Sequence, residues 1–140
     1  MASPLRTMLI GGHKPASVAA DLGLTLLRIA AGLLMAPHGW GKIPPSGQFL
    51  DGVSEMGFPM PIVFAWGAAL SEFVGGLLLA AGLFTRPAAF MMAGTMVVAA
   101  FVAHAGDPIS VREMALLYLF IAIAFMFNGS GRFGLDRFLR

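Results

Sequence analysis

Four long apolar runs, each broken by only one or two polar positions, organise the chain, and short clusters of proline, glycine and charge separate them. The longest is Pro61 to Phe84 (PIVFAWGAALSEFVGGLLLAAGLF). Read as a helix, its roughly 24 residues at about 1.5 Å each cover the ~30 Å of bilayer hydrocarbon with some tilt to spare. The other spans are predicted at about Asp21 to Trp40, Ala88 to His104 and Val111 to Phe127. Asp21 is available to cap the first, and Pro37 is expected to kink its last turn. Between the first two spans, the Pro/Gly-rich segment Gly41 to Met60 repeats Phe49, Leu50, Val53 and Met56 at helical spacing, which predicts a short amphipathic helix at the membrane surface. Thr85-Arg86-Pro87 reads as a tight turn, so the second and third spans form an antiparallel hairpin. Asn128-Gly129-Ser130-Gly131 stops the fourth.

Composition agrees with this reading. Of the 140 residues, 58% are hydrophobic and 11% charged, against about 25% charged in soluble domains, so the chain is expected to be a single integral-membrane domain over residues 1–140. Met1 to Ala20 has no apolar run long enough for a signal-peptide core and reads as a tail. Arg6, Lys14, Arg86, Arg132, Arg137 and Arg140 fall at the termini and in the second-to-third turn, against only Lys42 and Arg112 in the other connections. Positive residues concentrate on the cytoplasmic side, so both termini are expected there. The net charge of +2 resides at helix ends, not on a basic face, which argues against nucleic-acid binding. Cysteine is absent, which excludes thiolate chemistry and cysteine-ligated iron-sulfur clusters and leaves any redox role to a quinone, another bound cofactor or a partner.

The candidate chemistry lies in the few polar residues within the apolar runs. Glu72, near the middle of the second span, shares a helix face with Ala68, Gly76 and Ala80, a stripe of small residues that admits a neighbouring helix. An ionised carboxylate costs at least about 2.5 to 3.5 kcal/mol at that depth, so it is expected to face protein. Counting at 1.5 Å per residue from the cytoplasmic boundary places Arg28 about 10 Å deep and Glu72 about 18 Å deep, which suggests an ion pair between them. That pair reads first as a structural lock that fixes helix register, and next as part of a proton-transfer or ligand site centred on Glu72. His38 and Lys42, one turn apart, are expected to meet His104, Arg112 and Glu113 at an outer vestibule, with Glu72 beneath it. The histidines suit interfacial hydrogen bonds or a quinone headgroup, and haem less well, since two histidines without a third ligand make a weak metal signal and no metal is expected. Trp40, at a span end, fits an interface anchor and is grouped with the ligand-binding candidates Lys42, Arg28 and Glu113. Glu72, His38 and His104 form the candidate catalytic set.

The strings LRIAAGLLMAPHGWGKI, GAALSEFVGGLLLAAGLFTRPAA, AAFVAHAGDP and EMALLYLFIAIAFMFNGSGRFGLD resemble the DoxX family of small bacterial membrane proteins, and the likeness runs from Leu22 to Asp136. It implies an all-α bundle of four transmembrane helices in the bacterial plasma membrane. It also implies a link to quinone redox: relatives include DoxD-type subunits of thiosulfate:quinone oxidoreductase and members that associate with superoxide dismutase and a sulfurtransferase under oxidative stress. The family's polar motif falls on Arg28, His38, Lys42, Glu72, Arg86, His104 and Glu113. Two functions are therefore expected: a quinone- or quinol-interacting subunit, an oxidoreductase component if catalytic; or a non-catalytic anchor, assembly factor or carrier. Either is expected to work in the bilayer as a homo-oligomer or within a larger complex, because glycine and alanine stripes favour close helix association.

Overall fold

The computed structural model describes residues 17–139, and among them four helices are long and apolar enough to cross a membrane. Helix α1 is Val18–Trp40, α2 Gly47–Glu55, α3 Pro61–Ala81, α4 Thr85–Val98 and α5 Ile109–Asn128. A π-helical turn, Ala99–Ala103, extends α4, and a 3₁₀ segment, Leu135–Leu139, comes after α5. The expected tail falls largely outside the described residues.

Several boundaries differ from the pattern for local reasons. The cap of α1 is Ser17, whose Oγ accepts from Ala20 N–H at 3.2 Å, while Asp21 is buried in the first turn. The helix continues through Pro37, which lies in its last turn. Helix α3 stops at Gly82, which takes the left-handed conformation (φ 69°) while Leu83 N–H donates back to Leu78 O at 3.0 Å. The turn is therefore Gly82 to Phe84. Thr85-Arg86-Pro87 is the first turn of α4, where a proline removes no intrahelical donor. The amphipathic segment forms α2, capped by Ser46 accepting from Phe49 N–H.

Close packing of α1 against α3 sets the register of the molecule. A Cβ on Gly32 would collide with Gly76 O and lie 2.6 Å from Ala80 N, and one on Gly39 would strike the backbone of Ala69 to Phe73. These antiparallel helices touch backbone to backbone, as small-residue interfaces allow in lipid. Helices α4 and α5 pair through Met92, Met96, Tyr118, Leu119, Ala122 and Phe125, which with Ala31, Met35 and Leu79 form the core. Helices α1 and α5 meet only marginally, which leaves a seam in the bundle.

At the end of the bundle where α1 begins and α5 ends, Gly129 and Gly131 (φ 73° and 72°) turn the chain back under the helices. Asp136 is thereby fully buried: Oδ1 accepts from Phe84 N–H at 2.6 Å and Oδ2 from Thr85 N–H at 3.2 Å. The 3₁₀ segment thus supplies α4 with the N-cap its own sequence lacks.

Candidate functional site

The register of α1 against α3 decides which polar groups meet. Gly32 lies opposite Gly76, and Gly39 opposite Ala69 to Phe73, so Glu72 is level with Ala36 and Arg28 with Ala80. Those levels differ by about eight residues, or about 12 Å along the helix, beyond the reach of one pairing. The expected Arg28–Glu72 pair is therefore not formed. The buried Arg28 guanidinium donates instead from Nη1 to Leu79 O at 2.7 Å and Ala80 O at 2.6 Å, at the end of α3, where Leu79 O also accepts from Gly82 N–H at 3.1 Å.

Glu72 is paired with Lys42. Lys42 lies just beyond the end of α1, and its side chain places Nζ 2.6 Å from Oε1 and 2.7 Å from Oε2. The Glu72 side chain is 3% exposed and that of Lys42 35% exposed, so a buried carboxylate is neutralised by a cation approaching from the membrane surface. Phe49 of α2 lies under the ammonium at 5.6 Å, a weak cation–π contact that ties α2 to the pair.

Two cavities meet at this ion pair. The larger, about 690 Å³, lies between α3 and α4 under α2. Its walls are mostly apolar, from Val53, Phe58, Phe64, Met91 and Val98 among others, and its polar lining is confined to Lys42, Glu72, Ser71, Thr95 and His104. Ser71 and Thr95 hydrogen-bond each other across the helix pair. The smaller, about 210 Å³, fills the seam between α1 and α5 and brings His38 and Tyr118 to Lys42, Glu72 and His104. His104 ends the π-helical turn, and its Nδ1 lies 2.7 Å from Asp107 Oδ2, leaving Nε2 available. A π turn inserts an extra residue and reorients the chain beyond it, which here brings His104 to both cavities.

Lys42, Glu72 and His104 thus converge, and His38 joins them through the smaller cavity only. Glu113 is exposed and lines neither cavity, while Arg112 Nη1 donates to Ala100 O at 3.4 Å. Trp40 is exposed and packs at 5.1 Å on Phe73, outside both cavities, as an interface anchor does. Ser71 and Thr95 have no place in the expected site, although each is a polar position inside an apolar run, the same signal that marks Glu72. The polar set suits a ligand whose polar head carries oxygen atoms: an ammonium donates, a carboxylate and the imidazole nitrogen facing away from Asp107 accept, and apolar walls take the remainder. No group of three or more His, Cys, Asp or Glu side chains placed to hold a metal ion occurs among the described residues.

A family model described as DoxX matches residues 23–105, the stretch that holds Arg28, His38, Lys42, Glu72, Arg86 and His104. Inner membrane protein YqjF of Escherichia coli (strain K12) is 30% identical over 130 residues, covering 85% of this chain and 93% of that protein. An uncharacterized protein of Haemophilus influenzae is 37% identical over 123 residues, covering 81% of this chain and 87% of its own length. No solved structure matches.

Proposed function

This chain belongs to the DoxX family, and from that premise we propose that it is a quinone- or quinol-binding subunit of a redox or oxidative-stress complex, with its larger cavity as the binding site. It is a multi-pass protein of the bacterial plasma membrane, the compartment in which such ligands dissolve. The observation that carries the reading is the polarity of the cavity: its one ion pair, Lys42–Glu72, sits beside the His104 imidazole, and the rest is mostly hydrocarbon. A quinone headgroup needs donors at its carbonyl oxygens, and a quinol needs acceptors for its hydroxyls. The third Nζ–H of Lys42 meets the first need, and the Glu72 carboxylate and Nε2 of His104, an acceptor while Nδ1–H donates to Asp107, meet the second. Proton exchange with the headgroup then runs through titratable side chains, and electrons come from a partner in the complex.

Titration of the purified protein in nanodiscs with a short-chain ubiquinone, read by quenching of Trp40 and Trp66 fluorescence, tests the proposal. Loss of one hydrogen-bond partner in His104→Ala is expected to weaken binding about two- to tenfold, corresponding to about 0.5 to 1.5 kcal/mol. His38→Ala, which opens only the smaller cavity, is expected to change it less. One observation favours the anchor or carrier reading instead: Lys42 and Glu72 already satisfy each other, and His104 already has Asp107. Absence of saturable quenching in the parent protein would establish that alternative.

A further inference from the structure

We propose that the larger cavity takes its ligand sideways from the bilayer, through an opening between α3 and α4 kept clear by Gly67 and Gly94, so that the site selects amphiphiles already dissolved in lipid. The inference rests on the reading of this cavity as a ligand site and adds its route of access and the ligand class that can use it.

Glycine inside a helix costs roughly 0.5 to 1 kcal/mol relative to alanine, so a mid-span glycine calls for a reason. For Gly32, Gly39 and Gly76 the reason is packing, because an added Cβ would run into the backbone of the facing helix. Gly67 and Gly94 have no such reason. Each would carry a Cβ with nothing within 4 Å, each is exposed, and each lines the larger cavity. They flank it from opposite helices. The hydrogen bond between Ser71 and Thr95 sets the register of α3 and α4, placing Gly94 level with Glu72 and Gly67 more than one turn, ~7 Å, nearer the α2 end. The cavity residues around them, Val63, Phe64 and Met91, are exposed and apolar. This flank belongs to two membrane-spanning helices, so hydrocarbon is what lies beside it.

On its other sides the cavity is bounded by side chains, of which Lys42 and His104 are partly exposed. Towards the membrane surface the cavity is bounded by Phe49 and Val53 of α2, by Met56 just after it and by Phe58, whose ring packs 4.7 Å from that of Phe64. Val53 is buried beneath the helix. Towards the seam with α5 the Lys42–Glu72 pair and His104 form the partition between the two cavities. A ligand whose apolar tail remains in the bilayer can place its polar head on that partition without lifting α2.

The experiment compares association rates of a decyl-tailed benzoquinone with Gly67→Leu, Gly94→Leu and the double variant in nanodiscs, using stopped-flow tryptophan quenching, with thermal unfolding measured in parallel. Gly23→Leu is the control, since a Cβ there also meets nothing, at the other end of α1 and away from the cavity. The leucine variants are expected to slow association about tenfold or more with unfolding midpoints no lower than the parent's, because leucine favours helix over glycine and fills only open space. Gly67→Ala and Gly94→Ala should fall between, and Gly23→Leu should behave as the parent. If both leucine variants bind at the parental rate while His104→Ala still weakens binding, lateral access is refuted and the ligand site stands. If the parent binds no tailed quinone, site and access are refuted together.

Discussion

Lys42 and Glu72 share an ion pair but not an environment, and that difference predicts unequal consequences of removing each. Breaking a fully buried pair costs about 3 to 5 kcal/mol, because the surviving charge is stranded. Lys42→Met strands the buried Glu72 carboxylate and is expected to cost about 2 to 4 kcal/mol, somewhat below that range because Lys42 contributes from a partly solvated position. Glu72→Gln leaves an ammonium that can swing to water, and the expected loss is about 1 to 2 kcal/mol. The double variant should cost less than the sum. A double-mutant cycle by reversible unfolding measures the coupling, and strictly additive losses would show that the contact contributes nothing. Arg28 is a different case at the same scale: it binds carbonyls at a helix end, so its burial is explained by backbone satisfaction without any carboxylate in the centre of the bundle.

Among the elements, α4 depends most on residues far from it in sequence. Phe84 precedes it in the left-handed conformation (φ 46°), unfavourable for a residue with a Cβ, and offers no capping side chain. Asp136 receives the N–H groups of Phe84 and Thr85 and sets a negative charge at the positive end of the helix dipole. Asp136→Ala is therefore expected to destabilise the protein by about 1 to 2 kcal/mol, with Asp136→Asn recovering part through its remaining carbonyl oxygen. The effect should be local, seen as faster amide exchange at Phe84 and Thr85. Unchanged protection there would rule out the capping role. The other end of α4 bears on the ligand site instead, through the π turn that delivers His104.

For the whole molecule, the start of α1, the 3₁₀ segment and the Gly82 to Phe84 turn share one end of the bundle, and α2 lies at the other. The distribution of basic residues predicts that the first end is cytoplasmic. Because the chain has no cysteine, single cysteines at the exposed positions Ser46 and Phe133 report sidedness without interference. A membrane-impermeant thiol reagent added to intact spheroplasts is expected to label Ser46→Cys and to spare Phe133→Cys. The reverse pattern would invert the protein and place the Lys42–Glu72 partition near the cytoplasm.

The four spans and the surface helix were legible in the sequence because hydrophobic period and turn residues are local properties: an apolar run of about 20 residues has few alternatives to crossing a bilayer. So was the need of Glu72 for a partner, since lipid does not tolerate a lone carboxylate at that depth. The identity of each partner was not legible. The Arg28–Glu72 expectation failed because depth was counted from assumed helix ends, while the true register is set by where Gly32, Gly39 and Gly76 let two backbones touch. The pattern kept Lys42 near water, yet its side chain reaches back to Glu72. Asp136, beyond the last span, had no local mark of its role, since it caps a helix that begins some fifty residues earlier. Sequence alone thus determined which segments enter the membrane and which residues need compensation there. Tertiary structure decided which groups compensate which, because that depends on interhelical register, and register is set by contacts between residues distant along the chain.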